Sequence, residues 1–425
     1  MDGETVVVAG AGVAGLVTAR RLAAAGADVR VLERRPTVGG RVRTGNEAGF
    51  TLDRGFQVLF TAYPAVQREL DLAALDLQYF SPGAVIARPG SRAVLSDPLR
   101  DLRAALPSLR NDEVTLSDKV RTLFFRQHVR TRTEAEVFRS ADRSIRAYLR
   151  EWGFSSDYIE HFVAPFYGGI TLDRSLSTSK RVFEYTFKML SEGRIAVPAE
   201  GMGAIPQQLA ERARTAGASI RTDASVERVT AHEDGATVET GSETIEAAAV
   251  VVATDPPEAK RLAGVDAIPT AARSCVTQYY RLPDQIAPRT RRKILLNAAD
   301  PSPNTIVPMS EVAPSYAPTD EALVAATFLG GSALDRDGAA LAEETRLTLE
   351  AWYPERDFAA LDPLDTHRIE FAQFAQPPGV HESLPDARAP EGRAYLAGDY
   401  TAWSSIQGAM RSGREAARAV ERDLS

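Results

Sequence analysis

Apolar positions follow two different rhythms along the chain, and residues 1–33 contain both. Residues 5–9 (Thr-Val-Val-Val-Ala) form an unbroken, largely β-branched run, the pattern of a short strand covered on both faces. After Gly10-Ala11-Gly12-Val13-Ala14-Gly15 the period changes. Leu16, Ala19, Leu22 and Ala23 fall on one helical face, and Gly26 ends that helix. Val29 to Leu32 returns to a strand and closes on Glu33. The pattern predicts a strand–helix–strand unit with parallel strands and a glycine-rich first turn.

From about 97 to 195 the spacing is helical and arginine-rich, most clearly at 117–138 and 144–154. A helix is predicted from Ile205 to Arg214. Strands follow at Ser219–Thr222, Val226–Ala231, Ala236–Thr240 and Thr244–Ala247, then a buried strand at Ala249–Thr254. Strand-like runs recur at 275–282, 293–298, 322–329 and 366–374. The chain closes with Ala394–Leu396, then Gly398-Asp399, then a helix through Ala409–Val420. Proline-rich joints at 256–257, 283–288, 301–318 and 377–390 read as loops or crossings between domains.

Composition narrows the picture. A chain of 425 residues is long for one core, so two domains are expected. A net charge of −7 gives no basis for general nucleic-acid binding, and none is expected. The single cysteine, Cys275, makes neither an intrachain bridge nor a metal site, and fits a reducing compartment. His128, His161, His232, His367 and His381 lack ligand spacing, so no metal is expected. Asp2 and Glu4 stand where a secretory signal would be positive, and no apolar run nears the roughly 18 residues of a spanning helix. The expectation is a cytoplasmic protein, at most peripheral to a membrane. Of 50 basic residues only five are lysine (Lys119, Lys180, Lys188, Lys260 and Lys293), which reads first as codon usage.

The glycine-rich turn carries chemistry. Gly10 permits the tight turn, Gly12 lets backbone approach a pyrophosphate, and Gly15 permits close helix–strand packing. With Ala14, they open a helix whose free N–H groups and positive dipole end suit phosphates. Glu33, 23 residues after Gly10, is placed to accept ribose hydroxyl protons. Arg34 follows it, and Gly39-Gly40-Arg41 then offers a second close backbone approach with a cation.

Together with these residues, three separated stretches resemble the flavoprotein superfamily of amine oxidases, protoporphyrinogen oxidases and phytoene-type carotenoid desaturases. They are GAGVAGL…LERRPTVGGRVRT with FTLDRGFQV, PAEGMGAIPQQLA with SVERV and VVVAT, and YLAGDYTAWSSIQGAMRSGREAA. The stretches FQVLFTAYPAVQRELDL and PMSEVAPSYAP are similar to bacterial and plant members near the carotenoid-desaturase branch. The resemblance implies an α/β fold. A Rossmann-like FAD-binding domain with a parallel sheet would be built from 1–80, 195–265 and 385–425. An α+β substrate domain, 81–194 and 266–384, would be inserted in it.

It further implies that Gly10, Gly12, Ala14, Gly15, Glu33 and Arg34 hold the ADP half of FAD, with Gly39, Gly40 and Arg41 beside the pyrophosphate. Gly55, Phe56 and Gln57 would line the flavin, and Val226 would clamp adenine through its backbone, with Thr254 nearby. Gly398 and Asp399 would hold the pyrophosphate and ribityl chain. Ile406, Gln407 and Ala409 open a last helix that would point at the flavin. With no cysteine in the C-terminal region, FAD is expected to be noncovalent.

The implied activity is hydride transfer from an apolar or aromatic substrate to flavin N5, as in carotenoid or porphyrinogen desaturation, with O2 or a quinone as acceptor. The alternatives are amine oxidation releasing peroxide, isomerisation with reduced FAD, and a binding protein on the fold of the dissociation inhibitors of prenylated GTPases. Many amine oxidases carry a lysine that holds water against flavin N5. Thr277 or Gln278 stands at its place here, which favours the desaturase side. Hydride transfer needs orientation more than an acid or base. Tyr400, Trp403 and Phe56 are the candidates to face the flavin. Residues 119–150 carry nine basic and three acidic side chains among apolar ones, readable as a solvated face or as a peripheral membrane contact for a lipophilic substrate. The oligomeric state is left open.

Overall fold

The computed structural model describes residues 1, 3–95 and 115–425. The part of the predicted helical region at 97–114 lies outside the described residues. Strand Thr5–Ala9, helix Val13–Ala24 and strand Asp28–Leu32 form where the apolar pattern puts them. Five strands make a parallel sheet in the order Ser219–Arg221, Asp28–Leu32, Thr5–Ala9, Ala249–Val252, Ala394–Leu396. Its central strand is buried on both faces, which is why residues 6–8 are all valine. Val6 and Val8 face a core shared with helices Val13–Ala24, Ala204–Thr215 and Ile406–Asp423. Val7 and Ala9 face a second core under a small antiparallel sheet of Val226–Ala231, Ala236–Thr240 and Thr244–Ala247.

A seven-stranded mixed sheet forms the other half, in the order Asp362–Phe374, Ala272–Pro283, Glu321–Leu329, Thr305–Pro308, Ile294–Asn297, Ala84–Arg88, Ser91–Leu95. Helix Gly338–Trp352 covers one side, with Trp352 buried beneath it. Helices Leu116–Arg130, Ile145–Glu151, Ala164–Thr171 and Lys180–Glu192 build a further layer around Phe125, Phe183 and Tyr167. The segment 301–318, expected as a loop, instead holds strand Thr305–Pro308 and the short helix Met309–Val312. Of its prolines, Pro308 closes the strand and Pro314 opens a short 3-10 turn, positions where a missing N–H costs no ladder bond. The sequence pattern also missed the hairpin Thr44–Glu47/Phe50–Asp53, whose outer strand is polar and mostly exposed.

The first and last helices cross at Gly413. A Cβ there would sit 2.3 Å from the Ala14 carbonyl oxygen and 3.1 Å from Val17 Cβ. Thr18 Oγ1 donates to the Gly413 carbonyl at 3.0 Å, so the close approach is also hydrogen-bonded. On an exposed helix, Gly→Ala stabilises by about 1 kcal/mol. At this crossing we expect Gly413→Ala to destabilise by about 1–3 kcal/mol instead, measured by urea unfolding.

Candidate flavin and substrate site

One cavity of about 670 Å³ runs between the two sheets. At one end the wall is backbone. Gly39 N–H donates to the Ala11 carbonyl at 2.8 Å, and Gly12 and Gly39 form a β-bridge, so two glycine turns lie against each other. Side chains are excluded from that contact. A Cβ on Gly40 would lie 3.3 Å from Gly12 Cα, and one on Gly39 2.3 Å from the Val42 carbonyl, at a φ of +117° that favours glycine. Gly15 does not line the cavity; its Cβ would meet the Gly10 carbonyl at 2.1 Å, so it serves packing. Helix Val13–Ala24 has no side-chain cap, which leaves its first N–H groups turned to the cavity end.

Glu33 is buried in the same wall. Its carboxylate accepts from Ala11 N–H at 2.9 Å and Arg35 N–H at 3.0 Å. These two bonds fix its orientation and leave lone pairs for ribose hydroxyls. Arg41 spans the cavity to Asp399, 2.6 Å from Nη2 to Oδ1, while its Nη1 donates to the Ala372 carbonyl at 3.2 Å. Ser404 Oγ donates to the other Asp399 oxygen at 2.8 Å.

Of the residues expected to hold the cofactor, Gly10, Gly12, Ala14, Glu33, Arg34, Gly39, Gly40, Arg41, Gly55, Phe56, Gln57, Val226, Thr254, Gly398, Asp399, Ile406 and Ala409 share this wall. Gln407 does not. One turn position past Ile406, its side chain accepts from Ala65 N–H at 2.9 Å and donates to Glu134 at 3.2 Å, bracing the last helix. Tyr400 is likewise absent from the wall. Its hydroxyl donates to the Val252 carbonyl at 3.1 Å, and its ring fills the place a Gly398 side chain would need, so it is a core residue. Trp403 and Phe56 do line the cavity, Trp403 packed edge-on against Tyr63 and Tyr185.

The residues fit a flavin dinucleotide. Thr254 Oγ1 and Trp403 Nε1 are buried in the wall without a hydrogen-bond partner, polar atoms that a ligand would satisfy. Ser405 caps the last helix through Gly408 N–H at 2.8 Å, and Ile406 presents that helix end to the cavity. The other end of the cavity is different in kind. Phe166, Ile170, Leu172 and Val182 from the helical layer face Cys275, Thr277, Ile294 and Leu296 from the sheet. These were not legible in sequence, because apolar residues at helical or strand spacing read as ordinary core. Thr277, expected in place of a flavin-side lysine, is in the wall and accepts from Phe56 N–H at 3.3 Å. Gln278 turns away to the Gly338 carbonyl and Thr366. None of the five lysines lines the cavity. Among the described residues no cluster of three or more His, Cys, Asp or Glu could hold a metal.

The chain matches the model of the flavin containing amine oxidoreductase family over residues 13–421. The chain belongs to that family. Its cofactor is FAD, and it is an oxidoreductase. Among curated proteins it is 26% identical to the carotenoid 3,4-desaturase of Haloarcula japonica over 56% of this chain and 53% of that one. It is 22% identical to the 15-cis-phytoene desaturase of Capsicum annuum over 98% of this chain and 78% of that one. The chain therefore spans about half the length of the first relative. A solved putrescine oxidase bound to putrescine superposes with a TM-score of 0.73 at 18% identity, covering 99% of both chains, which shows the shared fold.

Asp53 anchors the loop that carries Gly55, Phe56 and Gln57 into the wall. Its buried carboxylate accepts from Thr44 at 2.5 Å, Met202 N–H at 2.8 Å and Tyr316 at 3.0 Å, and its carbonyl accepts from Tyr279 at 2.8 Å. Burial pushes this carboxyl up to about 6, and the three donors only partly offset it. A group raised in the folded state stabilises fully below its unfolded value and loses that contribution as pH rises through about 6. We therefore expect wild-type stability relative to Asp53→Asn to fall by about 2–3 kcal/mol between pH 4 and 7, measured by urea unfolding of both proteins.

Proposed function

We propose that this protein oxidises an apolar or aromatic substrate by a desaturase-type hydride removal, with O2 or a quinone as the final acceptor. The observation that carries the reading is the uncharged wall of the inner chamber, where Phe166, Ile170, Leu172 and Val182 face Thr277, Ile294 and Leu296. A hydrocarbon is drawn into such a chamber at about 25 cal/mol per Å² of apolar surface. An ammonium would lose its hydration against these uncharged side chains, at a cost of several kcal/mol. Bound FAD supplies the hydride acceptor. The chain's own residues orient and dry the reacting pair: Thr277 holds the Phe56 backbone in place, and Tyr63 and Trp403, packed against Tyr185, line the cavity. The names of the carotenoid and phytoene desaturases among its relatives are in keeping with this class of substrate.

The test is anaerobic mixing of the yellow holoenzyme with carotenoid, porphyrinogen and amine panels. Loss of the oxidised-flavin absorbance with polyenes or porphyrinogens is expected; bleaching by amines alone overturns the reading. FAD is held noncovalently on this proposal. Burial pushes the Cys275 thiol up to about 12, so it stays protonated and unreactive at neutral pH. Acid precipitation should leave the flavin in the supernatant, and a yellow pellet would show a covalent link.

A lipophilic substrate is most readily met at a membrane surface, and helix Leu116–Arg130 supports peripheral contact. Asp118, Phe125 and Val129 face inward. Leu116, Val120, Leu123 and Phe124 occupy the opposite face and are 43% to 72% exposed. Lys119, Arg126 and Arg130 flank that stripe, the arrangement that seats on an anionic bilayer. Among the described residues no helix is long and apolar enough to cross a membrane. At low salt the protein should float with vesicles containing phosphatidylserine, and the pair Leu123→Ser and Phe124→Ser should abolish flotation. No flotation of the wild type removes this part of the proposal.

A further inference from the structure

The diphosphate of FAD carries two negative charges, and the motif that receives it supplies less positive charge than this. A helix N-terminus contributes about half a charge. The motif cation, Arg41, is already matched by Asp399 at 2.6 Å. Further positive charge stands on the wall at Arg35 and Arg54, which lie outside the glycine motifs, with Arg43 close behind the glycine turn.

Arg43 and Arg54 face each other across the base of the hairpin Thr44–Glu47/Phe50–Asp53. The ladder pairs Thr44 with Asp53, and one step further Arg54 N–H donates to the Arg43 carbonyl at 2.8 Å. Like charges directly opposite on a strand pair destabilise it. Arg43 also lies against the glycine turn, its Cγ within 3.3 Å of where a Gly39 side chain would begin. Arg54 and Arg35 line the cavity itself. None of the three side chains has a carboxylate or hydrogen-bond partner among the described residues, and Arg43 Nε is buried and unsatisfied. Glu33 attracts the Arg43 guanidinium without forming an ion pair, its carboxylate being oriented by the Ala11 and Arg35 N–H groups, and so offsets the repulsion only in part. The cost of the arrangement registers electrostatically. Burial, with repulsion from Arg54 and Arg35, brings the Arg43 guanidinium down to about 10, and burial and Arg35 lower that of Arg54.

We propose that Arg35 and Arg54, backed by Arg43 behind the glycine turn, form an anion subsite that binds the diphosphate of FAD, adding to the charge that the glycine motifs and the paired Arg41 supply. An unpaired cationic cluster beside a phosphate-sized backbone cradle has its repulsion relieved only when an anion arrives. The cluster thus makes the FAD-free protein electrostatically strained and the loaded protein relaxed. This inference rests on the FAD cofactor and is independent of which substrate is oxidised.

The experiment follows flavin fluorescence as the holoenzyme is diluted, and as ADP or adenosine displaces the cofactor. Arg54→Leu should raise the Kd for FAD roughly tenfold or more, the scale of one charge-assisted hydrogen bond, and Arg43→Leu with Arg54→Leu should raise it further. Arg54→Lys should retain most of the affinity. ADP should weaken as a competitor by the same factor, while adenosine, lacking the diphosphate, should be unchanged. The salt dependence of FAD release should shrink in the leucine variants. Unchanged FAD affinity in the double variant, or equal losses for ADP and adenosine, overturns the proposal. So does failure of Arg54→Lys to hold cofactor while its flavin-free form melts normally. In either case the substrate reading above stands or falls separately, on flavin bleaching.

Discussion

Two backbone turns, at Gly12 and Gly39, lie against each other with no side chain between them, and the rest of the site is arranged around that contact. It exists because Gly40, whose Cβ would lie 3.3 Å from Gly12 Cα, brings no side chain to the contact, and because Gly39 holds a φ of +117°. Once the turns touch, the first helix directs its unsatisfied N–H groups into the same space that Gly398 and Asp399 enter from the far end of the chain. Arg41 then joins the two ends, since its partner Asp399 lies 358 residues away in sequence. A Cβ added at Gly10 or Gly39 would press on backbone, 2.8 Å from the Ala253 carbonyl oxygen or 2.3 Å from that of Val42, and backbone is far stiffer than a neighbouring rotamer.

The cavity divides by chemistry. Its nucleotide end is polar, with fixed donors, a buried carboxylate and a concentration of guanidinium groups. Its inner end is neutral and apolar. The two ends are built by different sheets, the parallel one through its turns and the mixed one through its strands. The loop from Asp53 to Gln57 belongs to both, because Asp53 is bonded to Tyr279 and Tyr316 of the mixed-sheet half while Gln57 donates to the Arg41 carbonyl at 3.0 Å. That loop is where the geometry of the cofactor end is transmitted to the chamber.

Much of the nucleotide end is legible in the sequence, because its signals are local: a valine run, glycines at fixed offsets, an acid at the end of the next strand. Side-chain direction is less legible. Tyr400 and Trp403 are three residues apart and similar in character, yet one is pinned beneath Gly398 and the other opens onto the cavity. Gln407 follows Ile406 directly, but one helical step of about 100° takes its amide from the cavity to Glu134. The chamber wall is not legible at all, since Phe166, Ile170 and Val182 carry no mark beyond apolarity. The arginines of the hairpin are hidden for another reason. Their meaning lies in the cross-strand register, which brings Arg43 opposite Arg54 and is set by a polar hairpin with no hydrophobic alternation to announce it.

The order of strands in the parallel sheet has a consequence for synthesis. Val6, Val7 and Val8 pair on one side with Val29 to Val31, but on the other with Ala249 to Val251, and the last helix packs on the first only after residue 406. A nascent chain emerging at about 5–20 residues per second leaves that valine strand half-covered for many seconds. Its completed core waits for strand Ala394–Leu396 and helix Ile406–Asp423 to be translated. A strand made early in this sequence is thus among the last of it to be sealed.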